Sequence, residues 1–118
     1  MNNKNNLITI EKFERYCIIK ISGEIVSLST SIKLKETFKN LIDNEKFYQI
    51  LLDLSELKFI ESSLIGVIVE AYRSLILING KMNVVVKAPS VYARFEVSQL
   101  DKILRIYNDI EEAKKSFF

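Results

Sequence analysis

The stretch Leu52-Asp53-Leu54-Ser55-Glu56-Leu57-Lys58-Phe59-Ile60-Glu61-Ser62-Ser63-Leu64-Ile65-Gly66-Val67 decides the fold. Its first residues complete the run Phe47 to Leu54, which is nearly all apolar, as expected of a strand covered on both faces and central in a mainly parallel sheet. Ser55-Glu56-Leu57-Lys58 turns the chain, and Phe59-Ile60 is expected to re-enter the core. Ser62 or Ser63 then caps a helix from about Leu64 to Ile78, because a serine oxygen can take one of the unpaired N–H groups of a first turn. Asn79-Gly80 closes that helix with the two residue types that best tolerate a left-handed backbone.

Working outward, Leu7 to Glu11 and Tyr16 to Ile21 are short β-branched and aromatic segments around a polar tip at Glu14-Arg15, the pattern of a hairpin. Ser27-Leu28-Ser29-Thr30-Ser31 offers several caps for a first helix reaching about Asp43, with Leu34, Phe38, Leu41 and Ile42 on its buried face. On the other side, Met82 to Val86 reads as a strand. Ser90 is placed to cap a helix from about Val91 to Ser98, Ile103 to Tyr107 reads as a short edge strand, and Asp109 opens a terminal helix with Lys114-Lys115 near its end. The order describes an α/β domain: a single four- to five-stranded, mainly parallel sheet with an antiparallel hairpin at its edge and three to four helices.

With 118 residues, 48% of them hydrophobic and 27% charged, the chain is expected to form one globular domain spanning residues 1–118. The net charge of +2, with basic and acidic residues interspersed, gives no positive field for nucleic acid. The polar Met1–Asn6 start and the lack of a long apolar run predict a cytoplasmic protein without membrane insertion. There is no histidine, which excludes Ser-His-Asp and Cys-His catalysis and His-ligated metal centres. A serine hydrolase built on Ser62 or Ser63 would need a lysine base, and Lys58 alone is near in sequence. No second carboxylate stands at ligand spacing from Glu61, and no glycine-rich loop cradles a nucleotide, so neither metal nor cofactor is expected. The lone Cys17, in Tyr16-Cys17-Ile18-Ile19, is expected to behave as a small buried hydrophobe.

The opening stretch resembles the signature of STAS-domain anti-sigma-factor antagonists, an Asp-Ser-Ser-Gly-Leu-Gly-like run after an apolar strand ending in Asp-Leu. Gly23-Glu24-Ile25, Ala71-Tyr72-Arg73, Asn79-Gly80-Lys81 and Ala88-Pro89-Ser90-Val91 also fall where such proteins have similar residues. The resemblance implies a STAS fold and a bacterial partner-switching regulator of transcription rather than an enzyme. Its partner would be an anti-sigma factor with a histidine-kinase-like ATPase fold. Ser62 is the position that accepts phosphate in that family, and a phosphatase would reverse the modification. The partner-binding residues would be Glu61, Ser62, Ser63, Leu64, Ile65, Gly66 and Val69. The chain departs from the pattern at Glu61, usually Asp; at Leu64, usually Gly; and at Val26, where an acidic residue is common. Leu64 and Val26 favour the alternative of a non-phosphorylated interaction subunit, such as a transporter accessory protein.

The residues themselves say less. A serine before an apolar periodic run is ordinarily a cap, yet a helix start can also hold an added phosphate, which brings about −1.5 to −2 charge. The second helix carries an unusually wide apolar arc: Leu64, Val67, Ile68, Ala71, Leu75 and Ile78, with Ile65, Val69, Tyr72 and Ile76 beside them. Either the helix is wedged between neighbours, or its flank is a docking patch with Leu64 and Ile65 at the tip.

Overall fold

The computed structural model describes residues 6–118. Five strands form one sheet in the order β1 (Ile8–Lys12), β2 (Cys17–Ile21), β3 (Gln49–Leu54), β4 (Lys81–Val86), β5 (Arg105–Tyr107). The β1–β2 hairpin is antiparallel, and β2, β3, β4 and β5 run parallel to one another. Four helices connect and follow them: α1 (Leu28–Lys39), α2 (Ser62–Ile76), α3 (Pro89–Val97) and α4 (Ile110–Lys115).

Strand alternation divides the apolar residues between two layers. Cys17, Ile19 and Ile21 of β2, Ile50, Leu52 and Leu54 of β3, and Met82, Val84 and Val86 of β4 face α1, α2 and α3 in the larger core. The intervening Ile18, Leu51 and Val85 pack on the opposite face with Tyr16, Ala113 and Phe117, so α4 covers that side. Both faces of β2, β3 and β4 are thus covered, which is why those strands read as apolar runs instead of alternating ones. Cys17 is fully buried, and burial first, with the Glu45 carboxylate second, pushes its thiol up to about 12 despite the opposing Lys12.

The boundaries differ from the sequence reading for local reasons. The first helix stops at Lys39 and continues as one wide turn, Asn40–Asn44, closed by Glu45 N–H on Asn40 O at 3.1 Å. The residues after it complete that turn, with Lys46 left-handed and Phe47 N–H on Leu41 O, so β3 begins at Gln49 instead of Phe47. Helix α2 ends at Ile76, and the chain leaves it through Asn79 at φ 60°. Gly80 serves a different purpose from the expected one: a Cβ there would lie 2.5 Å from Tyr48 O, so the site needs a bare Cα for close approach. Ser90 does not cap α3; Ala88 stands at that position with Pro89 first in the helix, where its missing N–H costs nothing. The last strand shrinks to Arg105–Tyr107 because Leu100–Lys102 forms a 3₁₀ turn. Asp109 does cap α4, accepting from Glu112 N–H at 3.2 Å.

Candidate functional site

The segment between β3 and α2 is held at both sides. On one, Lys58 N–H and Phe59 N–H share Glu24 O at 2.8 and 3.2 Å, and the Glu56 carboxylate accepts from Gly23 N–H at 2.9 Å. That bond, followed by the contact to Lys20, holds the Glu56 carboxyl below its usual range. On the other, α3 reaches over: Ser90 Oγ donates to Lys58 O at 2.6 Å and Arg94 Nη1 to Ile60 O at 3.2 Å. Leu57 and Ile60 are buried beneath. The segment is therefore a braced platform, and Ser90, expected as a cap, is one of its braces.

The Gly23–Glu24 side is itself fixed by a residue that no pattern singled out. Asn6 Nδ2 donates to Ser22 O at 2.7 Å and to Ile25 O at 2.8 Å, while its Oδ1 accepts from Ser27 N–H at 3.0 Å. Gly23 takes φ 99°, and a Cβ there would meet Asn6 Nδ2 at 2.6 Å. Ser27 then caps α1, accepting from Thr30 N–H at 3.2 Å. A lone polar residue before a strand carries no periodic signal, so only the folded loop reveals it.

Helix α2 starts at Ser62, two residues before the expected Leu64. Glu61, extended at φ −103° and ψ 162°, is the cap position, and its carbonyl accepts from Leu64 and Ile65 N–H at 3.1 and 3.2 Å. Its side chain makes no cap hydrogen bond. Ser62 and Ser63 are consequently the first two residues of the helix, not its caps, and both are exposed. Their hydroxyls are left to solvent at the positive end of a 15-residue helix, where the Ser62 and Ser63 N–H groups have no partner within the helix.

The residues assigned to the site separate into three groups. Glu61, Ser62, Ser63 and Gly66 are exposed, and Ile65 and Val69 are partly buried against the core. Leu64 is 1% exposed and points inward, so the tip of the proposed patch is not where it was expected. Its position explains the departure from glycine: the side chain fills core space below the helix start. Val26, at 5% exposed, is likewise core, so this position faces inward here. The wide apolar arc resolves the same way along most of α2. Leu64, Ile68, Ala71 and Leu75 are buried, and Ile65, Val67, Val69 and Tyr72 are partly covered flanks, with α1 packed alongside. Phe59 is the converse correction: it is 59% exposed and stands clear of the core, next to the similarly exposed Ile25 segment. Gly66 also differs from the other glycines, because a Cβ there would meet nothing within 4 Å.

Among the described residues no cluster of His, Cys, Asp or Glu could hold a metal, and no helix is long and apolar enough to cross a membrane. Residues 8–113 match the STAS domain family model. An anti-sigma F factor antagonist of Paenibacillus polymyxa is 30% identical over 105 residues, 89% of each chain. A crystal structure of an anti-sigma factor antagonist from Mycobacterium paratuberculosis aligns with a TM-score of 0.83 at 19% identity, over 95% of this chain and 93% of the other. The Bacillus cell fate determinant SpoIIAA in its phosphorylated form aligns with a TM-score of 0.75 at 17% identity, over 93% of this chain and 99% of the other. These structural likenesses carry the fold: the mixed five-stranded sheet with its antiparallel first pair. The chain belongs to the family of STAS-domain anti-sigma-factor antagonists.

Proposed function

We propose that this protein is a partner-switching antagonist that binds an anti-sigma factor of histidine-kinase-like ATPase fold and releases it when Ser62 is phosphorylated. The supporting observation is the Ser62 hydroxyl: exposed, first in an uncapped helix, on a segment braced from two sides. A kinase can reach it without unfolding anything. The unpaired N–H groups of the helix start and the dipole tolerate the product locally. The same added charge, beside the exposed Glu61, disrupts an interface that fits the unmodified surface. The protein is then a substrate of its partner and of a phosphatase, acting by binding in the cytoplasm and not by catalysis.

The binding surface in this reading is Glu61, Ser62, Ser63 and Gly66 with the exposed edges of Ile65 and Val69, and Phe59 and Ile25 extend it. Leu64 is removed from it by burial. The transporter-subunit alternative rested on Leu64 and Val26, and as core residues they offer nothing to a partner of either kind.

Gly66 provides an internal check. Glycine inside a helix costs about 0.5–1 kcal/mol relative to alanine, and no contact among the described residues requires it. Close approach of a partner backbone does. Gly66→Ala is therefore expected to raise the urea midpoint while weakening partner binding measured by calorimetry; tighter or equal binding would remove Gly66 from the interface. The reading as a whole is tested by incubating the protein with ATP and each anti-sigma kinase of its own genome, then mapping phosphate by mass spectrometry. Phosphate on Ser62 is the expected result, and phosphate elsewhere or none overturns it.

A further inference from the structure

The outer edge of β1 is open: it ends the sheet, and nothing among the described residues pairs with it. Leu7 and Phe13 bond toward β2, through Ser22 N–H on Leu7 O and Phe13 N–H on Tyr16 O, both at 2.9 Å. Antiparallel alternation then turns the N–H and C=O of Ile8, Ile10 and Lys12 outward. Edges of this kind are usually blunted by proline, a bulge or an unpaired charge. Here the register with β2 runs unbroken from Ile8 to Lys12, there is no proline, the Lys12 ammonium is held by Glu45 at 2.6 Å, and the one charge of the strand outside an ion pair among the described residues, Glu11, lies on the other face from Ile8 and Ile10. The other edge, β5, has only three residues.

The apolar residues left exposed along this edge are Leu7 at 64%, Ile10 at 39% and Phe13 at 40%. They are spaced symmetrically about Ile10. Only residues whose backbone groups point outward can exchange hydrogen bonds with a second copy of the strand, and one two-fold register uses the whole edge. It places Ile10 opposite Ile10 of the second copy, Ile8 opposite Lys12, and Leu7 opposite Phe13. Above it, Ile8, Ile10 and Leu41 floor a groove walled by Lys33, Glu36, Thr37 and Asn40 of the α1 side. Because α1 would meet its copy antiparallel, Lys33 of one copy approaches the Glu36 end of the other, and neither residue has an ion-pair partner among the described residues.

We propose that β1 is a homodimer interface, in which two copies join antiparallel about a two-fold axis at Ile10 and make one continuous sheet. The self-complementary edge, unlike a general strand-binding edge, selects a second copy of this chain. The inference stands apart from the reading of Ser62 and does not depend on it.

The test is sedimentation velocity of the full chain across concentration, joined to cysteine cross-linking. The 13.7 kDa species should give way to one of twice that mass as concentration rises. Ile10→Lys sets two ammonium groups face to face on the axis and should weaken dimerisation about tenfold or more; thermal melting confirms that the variant folds. Hydrogen-bonded antiparallel partners stand about 5.5 Å apart at Cα, within disulfide reach. Ile10→Cys should therefore cross-link rapidly under mild oxidant, and Thr9→Cys, whose opposite residue is Glu11, should not. The native Cys17, buried with its thiol pushed up to about 12, stays silent in both. A monomer at all concentrations up to about 1 mM, a dimer indifferent to Ile10→Lys, or cross-linking at position 9 as fast as at 10 would each overturn the proposal.

Discussion

Ser62→Asp is expected to weaken binding to the cognate anti-sigma factor by about a hundredfold or more, close to 3 kcal/mol, while Ser62→Ala binds within a few-fold of the native chain and cannot be phosphorylated. The loss should appear in binding and not in folding, because of where Ser62 lies. It is the first residue of α2, exposed and outside the core. A carboxylate there meets the positive end of the helix dipole and helps the free protein by about 0.3–1 kcal/mol. A melting temperature equal to or above that of the native chain, combined with lost binding, is the signature of a charge that the free protein tolerates and the complex does not. The partner supplies the penalty: apposed groups that fit a hydroxyl must be desolvated against a charge, with the Glu61 carboxylate already adjacent. Calorimetric titration with the anti-sigma factor decides it. Equal affinity for Ser62→Asp and native protein would mean that charge at this position does not set partner release.

How much of this was legible beforehand depends on whether the signal was periodic. The strands β2, β3 and β4 and the helices α1 and α2 carry enough apolar repetition to be placed from residues alone, and the parallel direction of the later strands follows from the helices between them. The site was legible as a location but not as a geometry. A serine pair before an apolar run signals a helix start, yet the same pattern results whether the serine caps the helix or begins it. Here Glu61 takes the extended cap conformation, because the hydrogen bonds from Lys58 and Phe59 to Glu24 and from Arg94 to Ile60 bring the chain to the helix with its direction already set. Those are bonds between residues far apart in sequence. Phe59 left its expected place for a related reason: in irregular backbone, which side faces inward is fixed by the turn and not by a period, whereas Leu64 follows the period of α2 and is buried in line with Ile68, Ala71 and Leu75. Asn6 and Ser90 act through polar contacts to loop backbone, which leave no hydrophobic trace at all.

The same distinction predicts the largest stability effect at a residue with no part in the site. Asn83, in the middle of β4, is fully buried on the face covered by α4. Its Nδ2 donates to Ala113 O at 2.9 Å and also meets Ser116 Oγ, which itself donates to Ala113 O at 2.9 Å. This amide fastens the last helix to the sheet beside Tyr16, Ile18, Leu51, Val85 and Phe117. Asn83→Asp keeps the shape but replaces the donor with an oxygen facing a carbonyl, at a fully buried position. An ionised carboxylate left so is expected to cost about 3–5 kcal/mol at pH 7, a large part of the roughly 5–15 kcal/mol that holds a domain together. The sign with pH follows from the same burial. Desolvation raises the folded-state pKa of the new carboxyl above its unfolded value near about 3.9. The deficit is therefore small below that value, where the group is neutral in both states, and grows as pH rises toward the folded-state pKa. Asn83→Leu, which removes the polar group without adding charge, should cost less and show no such dependence. Urea unfolding of both variants between pH 4 and pH 8, followed by the near-ultraviolet tyrosine signal, gives the comparison; parallel pH profiles for the two would show that the amide of Asn83 does not carry the attachment of α4.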